Sequence, residues 1–225
     1  MKNSPKILGI IPARGGSKGI KNKNIIDIKG KPLISWTIEA AHKSSVINKT
    51  IVSSDSEDII SVARKLGCDA IKRPPNLAND DTPSIDVVLH ALELFKGFDY
   101  IILLQPTSPL RDYKEIDQAY SKMINLKAES CVSLCAVDKS PYWMYQVDKT
   151  SYRLTNVMSK NNKYLRRQDT PEVHILNGAI YISEVSLILK TKKLVSDKTI
   201  GYIMPQYKSI DIDSIKDLNY FKSLL

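Results

Sequence analysis

The sequence predicts an α/β protein built on a mainly parallel, doubly wound sheet, and three observations predict it. Short runs rich in isoleucine, leucine and valine alternate with helical patterns of ~10 residues through the first two-thirds of the chain. The 225 residues, 43% apolar and 25% charged, suit one ordinary globular domain with room for a subdomain. No apolar run approaches the ~20 residues needed to cross a bilayer.

The elements follow in order. Ile7 to Pro12 (ILGIIP) reads as a buried strand. Leu33, Trp36, Thr37 and Ala40 recur at helical spacing in Pro32–His42, with Pro32 suited to a first turn. Thr50–Ser53 is a second strand, and the helix Glu57–Leu66 stops at Gly67, as a left-handed cap requires. Asp69–Lys72 is a short strand, Ser84–Phe95 an amphipathic helix, and Tyr100–Leu104 the most apolar strand of the chain. Asp112–Ile124 is helical, and Ser130–Val137 is a further strand. From Asp138 the rhythm is lost. Ser140 to Leu176 holds tyrosines, a tryptophan and the basic residues Lys163, Arg166 and Arg167, and reads as an inserted subdomain over 140–176. The β pattern returns at Gly178–Ile182 and Tyr202–Met204; SIDID at 209–213 and a last helix close the chain. In this architecture ligands bind at the carboxyl ends of the strands, where the sheet order reverses. The polar segments after the strands (14–24, 53–55, 73–84 and 105–111) are therefore the places to look.

A net charge of +9 implies an anionic partner. Aromatics are only 7%, and no basic stretch is interleaved with them as a nucleic-acid stacking platform would be. Three cysteines, an odd number, fit a reducing compartment, and Cys131 and Cys135 sit in an apolar run without zinc-site spacing. Met1–Pro5 runs straight into a strand and lacks the pattern of a signal peptide, which makes the cytoplasm the expected compartment. The three histidines, His42, His90 and His174, are scattered and suggest no histidine catalysis.

Pro12 to Asn24 (PARGGSKGIKNKN) follows a strand and carries three glycines, so its backbone can bend tightly and offer N–H groups to an anion. Between Arg14 and Lys31 stand six cations (Arg14, Lys18, Lys21, Lys23, Lys29, Lys31) against one acid, Asp27. The spacing matches neither the P-loop nor the GxGxxG dinucleotide pattern. An exposed loop of solvated lysines would carry the same charge; the glycines directly after a buried strand favour a polyphosphate site.

The order of that strand, ARGGSKG, KNKN and the KGKPLISWTIEAA helix resembles the opening of the acylneuraminate cytidylyltransferases (CMP–sialic acid synthetases). VSSDSEDI at 52–59, KRPPNLANDDTPSIDVVLHALE at 72–93, LLQPTSPLR at 103–111, RRQD at 166–169, NGAIYI at 177–182 and SIDID at 209–213 occur in that family's order and cover nearly the whole chain. The sister family acting on the eight-carbon sugar Kdo typically opens with a Ser-Thr-Arg-Leu-Pro version, and QPTSP departs from the usual pseudaminic acid branch.

The resemblance implies a Rossmann-like nucleotidyltransferase fold with a small inserted dimerisation subdomain. It also implies a homodimer, a Mg²⁺ cofactor, and transfer of CMP from CTP to the C2 hydroxyl of an acidic nine-carbon sugar with release of pyrophosphate. Pro12, Ala13, Arg14, Gly15, Gly16, Ser17, Lys18, Lys23 and Asn24 would hold the triphosphate, with Arg73, Ser84 and Gln105 at the cytidine. Gln105, Arg167 and Tyr181 would approach the sugar, an arginine fork suiting its carboxylate. Tyr181 could equally be a packed strand aromatic, and Ser84 or Asp213 a helix cap. Asp211 and Asp213, at i and i+2 of an extended segment, would project to one face ~6–7 Å apart and share Mg²⁺ with phosphate oxygens and water. Arg14, Lys18, Lys23 and Asp211 form the expected catalytic set. Ile175 stands where the sialic acid enzymes often carry arginine, and SPYWMY at 140–145 lacks an expected lysine. Fewer cations suggest a sugar with an extra N-acyl group, such as a diacetyllegionaminic acid. A different sugar nucleotidyltransferase and a non-enzymatic nucleotide- or RNA-binding protein are the rival readings.

Overall fold

The computed structural model describes residues 4–17, 19–158 and 166–225. In chain order the elements are β1 (Ile7–Pro12), β2 (Asp27–Ile28), β3 (Lys31–Pro32), α1 (Leu33–Lys43), β4 (Lys49–Ser54), α2 (Glu57–Lys65), β5 (Asp69–Lys72), α3 (Ser84–Leu94) and β6 (Tyr100–Leu104). There follow α4 (Tyr113–Asn125), β7 (Ser130–Ala136), β8 (Tyr145–Val147), β9 (Leu154–Asn156), β10 (His174–Glu184), α5 (Val185–Thr191), β11 (Ile200–Ile203) and α6 (Ile215–Leu224). Seven strands form one sheet in the order β11-β7-β10-β6-β1-β4-β5. β10 runs antiparallel to both of its neighbours, and the remaining pairings are parallel. The mainly parallel, doubly wound α/β class read from the sequence is the one observed.

Two-residue alternation along the strands builds the two faces. Ile7, Ile11, Ile102 and Leu104 point to one side, where Ile34 and Ile38 of α1, Ile59 and Ala63 of α2, and Ile116 and Met123 of α4 cover them. Leu8, Ile10, Ile101 and Leu103 point to the other, against Val88, Ala91 and Leu92 of α3 and Ile188 of α5. Each such fully buried aliphatic side chain contributes about 1.5–3 kcal/mol of transfer free energy.

A third, smaller core sits beyond the sheet. Ile20 of the glycine-rich loop, Ile28, Leu33, Ile212, Leu218 and Phe221 pack together there, and Trp36 meets Phe221 edge-on at 5.4 Å between ring centroids. This cluster brings the basic loop, which follows β1, against the 209–213 segment from the far end of the chain.

Several elements differ from the sequence reading. The sheet reclaims the chain at His174, so the excursion from it ends before the 176 read from the sequence; it contains the β8–β9 hairpin, too short to give periodicity. The last strand is Ile200–Ile203 rather than Tyr202–Met204. Helix α5 went unread because its seven residues follow β10 without a break signal. Asp213 does not cap α6: Ser214 does, in a reciprocal capping box with Asp217. Nor does Ser84 cap α3; Pro83 holds that position and Ser84 is the first helical residue. Cys68, Cys131 and Cys135 are buried free thiols, Cys68 pushed up to about 12 chiefly by burial. Among the described residues, no helix is long and apolar enough to cross a membrane.

Candidate active site

β1 stands between β4 on one side and β6 on the other, so the connections leaving the sheet diverge at its carboxyl end. A cleft of about 580 Å³ opens there. Its walls include Pro12, Arg14, Ser17, Lys23 and Asn24 from the basic loop, Arg73, Ser84 and Gln105, and Tyr181, Asp211 and Asp213. Residues up to two hundred positions apart in the chain thus converge on one space.

One wall is built around Arg73. Its amide donates to the Ser54 carbonyl at 2.7 Å, which turns the side chain off the end of β5 and under the cleft. The side chain is 4% exposed, yet its Nε and Nη2 have no hydrogen-bond partner among the described residues. Burial lowers the guanidinium pKa; Asp55 opposes that shift and Arg14 adds to it. A buried cation with idle donors is costly unless something completes it, and a ligand acceptor in the cleft would do so. Opposite, the Gln105 side-chain amide donates to Ser84 Oγ at 3.4 Å. Gln105 is held from below by Arg111, which is fully buried and donates from Nη2 to the Gln105 carbonyl at 3.3 Å and to Thr37 Oγ1 at 2.9 Å. Burial brings the Arg111 pKa down to about 10, with Glu115 and Asp112 pulling the other way.

The basic loop forms the second wall. Arg14 makes an ion pair with Asp80. Lys23 Nζ donates to the Ile212 carbonyl at 2.8 Å and to Asp213 Oδ1 at 2.9 Å. Asn24 is buried and donates from Nδ2 to the Arg14 carbonyl, so it shapes the loop as well as bordering the cleft. Gly19 is required by close approach: a Cβ there would lie 2.5 Å from the Asp213 carbonyl oxygen. The structure does not bring Ala13, Gly15 and Gly16 into the cleft wall. Ala13 is buried with its amide on the Ser53 carbonyl, and the Gly15 amide donates to Asp55 at 3.0 Å instead of facing the cleft. Lys18 and the Arg167 side chain lie outside the described residues, and Arg167 is placed only as the start of a short 3-10 turn.

The third wall carries the carboxylates. The Ile212 amide donates to the Thr107 carbonyl at 2.9 Å, which pins 211–213 against the QPTSP turn. Asp211 opens to the cleft, but the surrounding protein still raises its pKa; a Thr107 hydrogen bond opposes this, and Asp213 adds to it. Tyr181 is half-buried across from it, its phenol pKa raised by burial and then by Asp211. Gly178, at φ +73°, leaves its Cβ position 3.9 Å from Asp211 Oδ2, and so keeps this corner open.

The donor set suits Mg²⁺. Two carboxylates offer oxygen ligands only, and Mg²⁺ characteristically takes one or two of these and completes its shell with phosphate oxygens and water. Asp211, whose charge is under-compensated, favours an arriving cation, while Asp213 already holds the Lys23 ammonium.

Sequence reasoning gave no role to Asn79, Asp80 and Thr82, which also line the cleft; Thr107 of the QPTSP turn lines it as its place after the most apolar strand predicts. Asn79, Asp80 and Thr82 lie in the 73–84 segment already marked as a ligand-binding stretch, and the acid pair in a basic protein, just ahead of α3, was the available signal. Arg111 closes the LLQPTSPLR stretch, and nothing local marks it as the buried support of Gln105.

A doubly wound sheet with a cation-lined cleft at its switch point defines the class of nucleotide-handling α/β proteins. The chain belongs to the cytidylyltransferase family, whose profile matches residues 8–222. It is 37% identical to an N-acylneuraminate cytidylyltransferase of Escherichia coli over 94% of this chain and 50% of that protein. It is 33% identical to a pseudaminic acid cytidylyltransferase of Campylobacter jejuni, over 97% of this chain and 96% of the other. A CMP-N,N'-diacetyllegionaminic acid synthase of Legionella pneumophila is also 33% identical, over 93% and 91%. The chain thus spans about half the length of the Escherichia coli relative and most of the other two. A solved CMP:2-keto-3-deoxy-manno-octonic acid synthetase complexed with CTP shares the fold, with a TM-score of 0.75 at 17% identity over 97% of this chain and 98% of that one.

Proposed function

We propose that this chain is a magnesium-dependent cytidylyltransferase that moves CMP from CTP to the anomeric C2 hydroxyl of an acidic nine-carbon sugar, releasing pyrophosphate. The observation that carries the reading is one cleft shared by a buried arginine with idle donors, a loop of cations and an under-neutralised carboxylate. Membership of the cytidylyltransferase family supports it.

Arg73, with Ser84 and Gln105, offers donors and a hydroxyl to the O2, N3 and N4 edge of cytosine; buried groups of this kind reject a mismatched base. Arg14 and Lys23, joined by Ser17 and Lys18, hold the β- and γ-phosphates and stabilise charge on the departing pyrophosphate. For that, Arg14 leaves Asp80 and Lys23 leaves Asp213 as the triphosphate enters. Asp211 and Asp213 hold Mg²⁺, which when bound would draw electron density from the α-phosphate and ease ionisation of the attacking hydroxyl. Tyr181 and Gln105 border the remaining space, and Arg167 is proposed for the sugar carboxylate.

The sugar is proposed to be of the sialic or legionaminic type. Ile175 in place of a cation favours a less polar, N-acylated tail, while the pseudaminic and legionaminic relatives are equally similar overall. A homodimer through the 138–173 excursion fits its exposed Tyr145, Val147, Tyr152 and Leu154. Buried free thiols fit a reducing cytoplasm.

Pyrophosphate release with CTP, Mg²⁺ and a panel of sialic, legionaminic, pseudaminic and Kdo acids tests the reading, and turnover is expected with one of the first two. Absence of turnover with every sugar, or with CTP but equally with UTP, would sink it. Asp211→Asn is expected to reduce kcat by about a hundredfold or more, on the scale of losing one preorganised electrostatic group.

A further inference from the structure

Asp55 lies outside the cleft wall, yet it touches both halves of the site. It stands just past β4, in the VSSDSEDI stretch for which the chemistry above has no use. One carboxylate oxygen, Oδ1, accepts the Gly15 amide at 3.0 Å and stands 4.0 Å from Arg73 Nη2. The approach is tight: a Cβ on Gly15 would sit 2.9 Å from Ser56 Cβ and 3.7 Å from Asp55 Oδ2. The backbone on either side is fixed as well, since Ala13 donates to Ser53 and Arg73 donates to Ser54.

We infer that Asp55 is a positioning residue that sets the cytosine-reading arginine and the triphosphate loop from one carboxylate. The inference rests on the cytidylyltransferase reading. Its physical basis is that Arg73, which borders the cleft, is buried as a cation with Nε and Nη2 lacking a hydrogen-bond partner among the described residues. Asp55 is its nearby counter-charge among the described residues, at a distance that offsets burial without capturing the donors. A direct bidentate salt bridge would occupy the same N–H groups that the base needs. The hydrogen bond to Gly15 serves the other half, by turning that amide inward and fixing where Arg14 leaves β1.

The two roles separate by substitution. Asp55→Asn keeps an oxygen for the Gly15 amide but removes the charge beside Arg73. Asp55→Ala removes both. Titration calorimetry with CMP reads the base side and with magnesium pyrophosphate the loop side. In Asp55→Asn, CMP affinity is expected to fall about tenfold or more while pyrophosphate affinity stays within about twofold, the loss of one charge-assisted contact. In Asp55→Ala both fall. In turnover, Asp55→Asn is expected to raise the CTP KM and narrow the preference for CTP over UTP with kcat little changed. Glu57→Gln, which removes an exposed carboxylate two residues on, controls for charge alone and is expected to match wild type.

Unchanged CMP affinity in Asp55→Asn would overturn the inference. So would an equal loss of thermal stability and kcat in both Asp55 variants with base preference intact, the mark of a merely structural role. Wild-type protein that binds neither CMP nor CTP would overturn the cytidylyltransferase reading itself, and this inference with it.

Discussion

At the scale of single residues, the basic loop works through contacts that a sequence states only in part. Gly19 is the clearest case, because only a hydrogen fits between its Cα and the Asp213 carbonyl. Gly19→Ala is expected to cost about 1–3 kcal/mol, as overpacking does, and to raise the CTP KM by pushing 211–213 away from the loop. Thermal unfolding and initial-rate kinetics measure the two effects. Arg14, Lys23, Arg73, Gln105 and the Asp211/Asp213 pair were legible in the sequence because charge, strand ends and motif order marked them. Asp80 was not, since nothing local says that it will pair with Arg14; Thr107 was marked by its turn, but not the Ile212 amide that its carbonyl carries. Ala13, Gly15 and Gly16 share the segment without lining the cleft: the Ala13 amide meets the Ser53 carbonyl and the Gly15 amide meets Asp55.

At the scale of elements, the carboxylate segment is positioned by helix α4 as much as by its own sequence. Lys208 Nζ bonds Asp112 Oδ2 at 2.9 Å and Glu115 Oε1 at 2.8 Å, the two members of the α4 capping box. This clamps the turn just before 209–213 to the start of α4. Burial alone would lower the Lys208 pKa, but the hydrogen bonds that it donates to Glu115 and Asp112 outweigh it and raise the pKa. For Asp112 burial is likewise outweighed, by Lys208, the Lys114 amide and Glu115, and its pKa falls. A lowered carboxylate contributes stability above its unfolded value of ~3.9 and loses it as pH drops through the folded value. A raised lysine contributes below ~10.4 and loses it as pH climbs. Lys208→Met is therefore expected to destabilise by about 1–3 kcal/mol at neutral pH, by stranding the buried Glu115 carboxylate. It should also flatten the acid limb of a stability-versus-pH curve below pH ~4; a variant curve parallel to wild type would contradict the clamp. Periodicity revealed the longer helices and the parallel strands to within about two residues, but β10 begins at His174, four residues ahead of the Gly178 start read from the sequence. It could not reveal α5, β8 or β9, which are too short for a pattern to repeat.

At the scale of the molecule, alternation of strand and helix gave the class, but not the order of strands or the reversal of β10, because neither depends on local pattern. Exposed Tyr145, Val147, Tyr152 and Leu154 on the excursion are expected to be covered in a homodimer. Light scattering should return twice the chain mass, and Leu154→Glu should shift it toward the single chain without altering the sheet. A wild-type monomer at micromolar concentration would refute that arrangement. The antiparallel course of β10 has a practical consequence. His174 lies directly across from Ala136, so the chain leaves the sheet and re-enters it at adjacent points on the cleft edge. Neighbours so oriented can be closed by a tight reverse turn. The stretch between them is therefore expected to behave as a cassette, exchangeable with that of a relative without recutting a strand of the sheet.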